Sequence, residues 1–558
     1  MRTIGLRTLC LVGFTLILAA CGGGSSSSDS TAVSTNYTVG GTISGLAVSG
    51  VVLANGSATV TVLAGASSWQ FPATFPAGSS YSVTVKTQPT GELCAVTSGG
   101  SGTDTGSVGN VTVVCGFGQW TWQGDPNTVN GGGIYGTQGS PASSNLPGAR
   151  YSASSWTESG NLWLFGGVGY DSTGATGYLS DLWQYSPSTR QWTWVSGGIG
   201  DNASGVYGTQ GVAAAGNVPG ARYDSSSWAD SSGNLWLFGG YGYDSTGALG
   251  PLNDLWRFTP SSGQWTWIGG EDIANAYGVY GTQGTAAAAN VPGARYSAST
   301  SVDSSGNLWL FGGYGSVSAT VGGAGRLNDL WRYSPSSGQW TWVGGLDAPN
   351  ASGVYGTAGT AAAGNAPGAR YAANIWIDST SNVWLFGGYG YDSTGAVGKL
   401  NDLWKYSPGS GQWTWITGVD VANATAFYGT LGAAASTNQP GARYSATSWI
   451  DSSGNLWLFG GYGDDSTGSV GNLNDLWRYN PASADWTWLS GGYTDNASGV
   501  YGTAGTAAAS NVPGARYDSN SWVDSSGNFW LFGGSGYDSN GSAGYLNDLW
   551  QFNPSAGT

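Results

Sequence analysis

Hydrophobic and polar positions alternate along most of this chain, in short runs that end at Gly, Ser, Asn or Pro. Alternation with period two is the mark of a half-buried β-strand. The unit from Ala221 to Ile268 shows it four times, in ARYDSSSW (Ala221–Trp228), NLWLFGG (Asn234–Gly240), NDLWRF (Asn253–Phe258) and QWTWI (Gln264–Ile268). Asp-Ser-Ser-Gly separates the first two runs and Pro-Ser-Ser-Gly the last two, both ordinary hairpin-turn sequences. No 3.6-residue periodicity interrupts them, so the unit predicts four antiparallel strands.

The unit repeats. PGAR ends at Arg150, Arg222, Arg295, Arg370, Arg443 and Arg516, at spacings of 72 to 75 residues. Each arginine is followed by an LFGG segment and by one Asp-Leu-Trp, whose aspartates are Asp181, Asp254, Asp329, Asp402, Asp475 and Asp548. Trp-Thr-Trp begins at Trp120, Trp192, Trp265, Trp340, Trp413 and Trp486. A period this long with several strands per unit points to radially arranged sheets rather than a helical solenoid. The last unit stops after Asp548 without a Trp-Thr-Trp, while Trp120–Trp122 precedes the first unit. The leading fragment is therefore expected to supply the missing outer strand, so that the two chain ends share one sheet and close a ring.

The double glycine after an apolar strand, as at Gly239-Gly240, and the downstream Trp, as at Trp265, resemble the kelch family across residues 117–558. The resemblance implies a six-bladed β-propeller. Kelch units usually run to about 50 residues, and these are longer. The surplus is expected as loop, between the fourth strand and the next first strand and between the second and third, all on one face. Such loops are the usual place for binding. Tyr135, Tyr207, Tyr280, Tyr355, Tyr428 and Tyr501 stand in the first kind of loop, and Tyr243 and Tyr391 in the second, as candidate binding residues. One Arg and one Asp per unit suggest a repeated buried ion pair, and the tryptophans an inter-sheet core.

Upstream, residues 37–116 read as short strands and are expected to form a small β-sandwich, similar to Ig-like or prealbumin-like modules. Residues 1–20 carry Arg2, Arg7 and an apolar run too short to span a bilayer comfortably, as in a signal peptide. Leu18-Ala19-Ala20-Cys21 resembles the bacterial lipobox, which implies lipidation of Cys21. Residues 21–36 would then be a Gly/Ser tether. Export to the outer membrane or cell surface, periplasm-facing or not, follows from that resemblance, with attachment to the membrane by lipid. Cys10 leaves with the signal, so Cys94 and Cys115 remain and are expected to pair in an oxidising compartment.

Composition narrows the chemistry. The chain has no histidine among 558 residues, which removes His-based triads and His-ligated metals. Galactose oxidase, a kelch propeller that needs histidines and a Tyr–Cys crosslink, is thereby excluded. A formal charge of −15 disfavours nucleic acid. DSSGNLW lacks the spacing of a sialidase Asp box, and GYDSTG lacks the dense carboxylates of a calcium loop. Non-repeated charges such as Arg190, Arg326, Lys399 and Asp464 read as scattered. No catalytic residue, metal or cofactor is assigned. The expected function is a monomeric binding module for a glycan or an envelope or extracellular protein. The alternatives are a carbohydrate-active enzyme resembling sialic-acid mutarotases and a passive envelope scaffold.

Overall fold

In a computed structural model the described residues are 36–554, apart from 47–48, 88, 90–93, 104–105, 117 and 509. The signal, Cys21 and most of the tether lie outside them. The described chain is all-β, and none of its helices is long and apolar enough to cross a membrane.

Residues 36–115 form two four-stranded sheets around one core. One sheet runs Ser68–Gln70, Val39–Ser44, Val108–Cys115, Cys94–Ser98, and the other Ala58–Val62, Val51–Asn55, Ser80–Thr87, Ser101–Thr103. Val39, Val51, Leu53, Val111 and Val113 are fully buried between them. Cys94 and Cys115 face each other across an antiparallel pair and form a disulfide.

From Trp120 onward an antiparallel sheet recurs with each sequence repeat. In the second repeat its strands are Arg222–Tyr223 with Ser226–Ala229, Leu235–Tyr243, Leu249–Thr259 and Gln264–Gly269, in that spatial order. Two differences from the sequence pattern matter. The first strand is broken, because Asp224 adopts φ 53° between its halves. The second and third strands extend well beyond the expected runs, pairing Tyr241 with Pro251 and Tyr243 with Leu249. The shorter of the two expected loops is thus largely an extended hairpin, whereas the longer one, over residues 197–220, is irregular apart from isolated bridges.

The double glycine makes that extension possible. Gly239 and Gly240 have φ of 63° and 96°, and the ladder slips register at this point. A Cβ on Gly239 would lie 2.8 Å from the carbonyl oxygens of Arg295 and Leu252. Only glycine fits where the backbones of two neighbouring sheets approach so closely.

Each sheet packs its tryptophans on the next. Trp156, Trp163, Phe165 and Leu182 of the first repeat meet Leu235, Leu237, Trp256, Phe258 and Trp265 of the second. The same arrangement joins last to first, where Trp522, Trp530, Phe532 and Leu549 meet Leu162, Leu164, Trp183 and Trp192. Trp120–Trp122 pairs antiparallel with Ala543–Phe552, with Trp120 opposite Phe552 and Trp122 opposite Trp550. The sheet of the last repeat is therefore completed by the segment that precedes the first. Within each Trp-Thr-Trp the first indole is the core residue. Trp265 is 1% exposed, whereas Trp267 is half-buried and packs edge-on against Tyr207.

Candidate functional site

The repeated Arg, Asp and Tyr residues converge in one buried network per repeat. Asp254 accepts a bidentate pair from Arg222, Nη1 to Oδ1 at 2.6 Å and Nη2 to Oδ2 at 2.7 Å. Its Oδ2 also accepts from Tyr207 Oη at 2.6 Å and Trp256 Nε1 at 2.7 Å. Arg222 Nε and Nη1 donate further to the Gly220 and Gly239 carbonyls. Both charged side chains have no exposed surface. The same ion pair links Arg150–Asp181, Arg295–Asp329, Arg370–Asp402, Arg443–Asp475 and Arg516–Asp548. A buried pair this fully hydrogen-bonded has little capacity left for a ligand.

This network corrects the reading of six tyrosines as binding-face residues. Tyr135, Tyr207, Tyr280, Tyr355, Tyr428 and Tyr501 are each 5–6% exposed. Each hydroxyl donates to the aspartate of its own repeat. A phenol ring surrounded by indoles needs such an acceptor, and burial followed by the aspartate charge pushes its pKa far up. The residue before each tyrosine is the exposed one. Ile134, Val206, Val279, Val354, Phe427 and Val500 are 46–55% exposed, one per repeat.

A second set of tyrosines surrounds the axis, immediately after each PGAR. Tyr223 packs on Tyr178 of the preceding repeat with ring centroids 5.3 Å apart. Tyr296 packs on Tyr241, Tyr371 on Tyr314, Tyr444 on Tyr389, Tyr517 on Tyr462 and Tyr151 on Tyr545, at 4.9–6.4 Å. One such contact spans each junction between repeats, so the rings, all half-buried, make a girdle that is interrupted only within the first repeat, where Val168 takes the place of a tyrosine. Tyr243 and Tyr391 belong to its upper edge. Tyr243 lies 5.9 Å from Tyr178, and Tyr391 lies under a guanidinium.

That guanidinium is Arg326, whose Cζ stands 5.0 Å from the Tyr389 ring, 5.6 Å from Tyr371 and 5.7 Å from Tyr391. Its buried Nε has no hydrogen-bond partner. In the next repeat Lys399 takes the same strand position, opposite Tyr389 as Arg326 is opposite Tyr314. Lys399 Nζ lies 3.3 Å from Asp464 of the repeat after that. Three charges that read as scattered in the sequence therefore fall together on one side of the girdle. Arg190 does not join them; a Cβ on Gly505 would lie 3.0 Å from its Nη1, beside the Trp120–Trp122 segment.

The two aspartate motifs are structural. Asp230 Oδ1 accepts from the Ser232 and Asn234 amides and its Oδ2 from Trp236 Nε1, which pins the first hairpin. Asp244 accepts from the Thr246, Ala248 and Ala274 amides. Burial raises its pKa, but these donors outweigh burial and hold the carboxyl below its ordinary value.

Beyond the girdle lies an axial ring that the sequence reading missed. Ser152, Asp224, Ser297, Ala372, Ser445 and Asp518 occupy the broken point of each first strand, all with φ of 51–54°. Each amide donates to the carbonyl of its neighbour in the preceding repeat: Asp224 to Ser152, Ser297 to Asp224, Ala372 to Ser297, Ser445 to Ala372, Asp518 to Ser445, and Ser152 to Asp518, at 2.8–3.0 Å. The circle closes on itself. It lines a cavity of about 170 Å³ together with Ala153, Ser225, Ala298, Ala373, Ala446 and Ser519. Burial, then the neighbouring Asp224 charge, pushes the Asp518 carboxyl up to about 8. Burial raises Asp224 as well. Aligning the residue after each Ala-Arg-Tyr would have exposed this ring, because two acids replace small residues there.

No protein-family model and no curated protein matches this chain.

Proposed function

We propose that the chain is a six-bladed kelch-type β-propeller, preceded by a small β-sandwich, that works as an exported, Cys21-lipidated binding module. The ligand class is a glycan, held at the tyrosine girdle. The carrying observation is the girdle with its one charged flank. Half-buried phenol rings offer flat apolar faces to sugar C–H groups and hydroxyls to sugar oxygens. A sixfold ring alone would select nothing. Arg326, whose half-buried guanidinium stands beside three tyrosine rings, gives one side a positive charge, and the Lys399–Asp464 pair adds both signs of charge next to it.

The long connections support this reading differently from the sequence expectation. They are tied down along the outer strands, for example Asn217 Nδ2 to the Trp265 carbonyl and the Gly211 amide to the Trp267 carbonyl. They act as a rigid frame while the extended hairpins present the tyrosines. A glycan array probed with the full chain tests the proposal. Binding that millimolar free sugar competes, and that Arg326→Ala abolishes while the fold is retained, supports it. A blank array, or binding unchanged in the variant, contradicts it.

A further inference from the structure

The axial ring carries a second binding site, independent of the glycan reading. Going round the circle the residues are Ser445, Asp518, Ser152, Asp224, Ser297 and Ala372. One side is all oxygen-bearing, with each aspartate flanked by two serines, and Ala372 stands opposite Ser152. Ser297 Oγ donates to Asp224 Oδ2. Ser445 acts on Asp518 in the same way. Ser225 and Ser519 are occupied by the Gly239 and Gly533 carbonyls. Ser152 Oγ is the exception. The residue is 7% exposed, its hydroxyl makes no hydrogen bond of ordinary length, and it lines the cavity near enough to both carboxylates for a longer contact to favour charge on each.

The lining consists only of serine, alanine and aspartate. Two carboxylates thus share one open-mouthed cavity with no Lys or Arg among the residues that line it. Like charges so placed repel; a proton held by one carboxyl relieves this at lower pH, and a cation seated between them relieves it where both are ionised. We propose that this half-ring is a cation site, taking a hard divalent ion of the calcium class between the Asp224 and Asp518 carboxylates with Ser152 Oγ as a further ligand. The donor set is entirely oxygen, which selects calcium or magnesium over softer metals. A cavity of about 170 Å³ leaves room for waters to complete the six to eight ligands that calcium accepts. With two carboxylates rather than four, the affinity should fall at the weak end, a Kd of about 10⁻⁴–10⁻³ M, as in extracellular calcium modules. This departs from the sequence expectation of no metal, because the two acids come together only in the ring.

Calorimetric titration of CaCl₂ into the full chain, with MgCl₂ and NaCl as comparisons, tests the site. We expect one calcium per chain, at least tenfold weaker binding in Ser152→Ala, and none in the double variant Asp224→Asn, Asp518→Asn. Absence of binding in the unaltered chain at roughly 10 mM calcium, ten times the weakest expected Kd, overturns the proposal, as does binding retained in the double variant. Should that variant fail to fold, crystals of the unaltered chain grown in CaCl₂ decide. Axial density at about 2.3–2.6 Å from both carboxylates supports the site, and an axis without it refutes the site.

Discussion

Trp120 stands directly opposite Phe552 in an antiparallel ladder, and their ring centroids lie 5.0 Å apart. The indole also meets Phe459 and Trp449 of the preceding sheet at 5.2 and 6.3 Å. One residue near the start of the repeat region therefore pins both the end of the chain and the neighbouring sheet. Trp120→Ala should cost about 3–5 kcal/mol, the usual range for emptying a large aromatic site. Trp194→Ala, at a half-buried position, should cost clearly less. Urea unfolding followed by tryptophan fluorescence would compare the two.

The Arg222–Asp254 pair predicts an asymmetry. Asp254→Asn keeps the shape but leaves a charged guanidinium with no exposed surface and no counter-charge. Breaking one partner of such a pair costs about 3–5 kcal/mol. Tyr207→Phe removes one of several donors to Asp254 and should cost about 1 kcal/mol. Thermal unfolding of both variants would check the order, and equal losses would contradict the network as described.

The axial acids predict a pH dependence in calcium-free buffer. Asp518 is held at about 8 in the folded chain by burial and then by Asp224, against 3.8 for the free carboxyl. The folded state therefore binds more protons than the unfolded state across that window. The contribution of this group to stability should be full near pH 4, decline as pH rises, and be lost above about pH 8. Tyr151, Tyr223, Tyr444 and Tyr517 face the same region, but burial holds their hydroxyls above the ordinary value, so they stay neutral throughout. Asp518→Asn should flatten the decline, as read from the urea midpoint between pH 5 and 9. An unchanged slope would assign the dependence elsewhere.

Gly239→Ala tests the close approach between sheets. The added Cβ would meet two backbone carbonyl oxygens that cannot move aside as a side chain would, at a φ that alanine resists. A loss of several kcal/mol is expected, well above the roughly 1 kcal/mol that a positive φ alone imposes. Gly263→Ala, at φ 65° in a turn with open space around it, isolates the φ contribution.

How far these features were legible in the sequence depends on the range of the interaction that fixes them. Strand number, hairpin turns and the shared last sheet follow from local patterning and from a repeat that lacks its final Trp-Thr-Trp, so they could be read directly. The role of Tyr207 could not. A Tyr-Gly step in a Gly/Ala-rich loop looks exposed until the loop is seen folding back onto Asp254 and Trp256. The extended hairpin was hidden for a similar reason, since YGYDSTGALG reads as loop by composition, whereas the slip at Gly239-Gly240 lets it continue the ladder. Arg326, Lys399 and Asp464 became neighbours only when consecutive sheets were laid side by side. Asp224 and Asp518 belong to the same class, as single substitutions in an otherwise small-residue position.

The two ends of the repeat region complete one sheet. Native-state hydrogen exchange, resolved by peptide, measures this directly. Amides of Trp120–Trp122 and of Leu549–Phe552 should be protected together and open with the same free energy, near that of global unfolding. Exchange of Trp120–Trp122 at the rate of free chain, while Leu549–Phe552 stays protected, would contradict it.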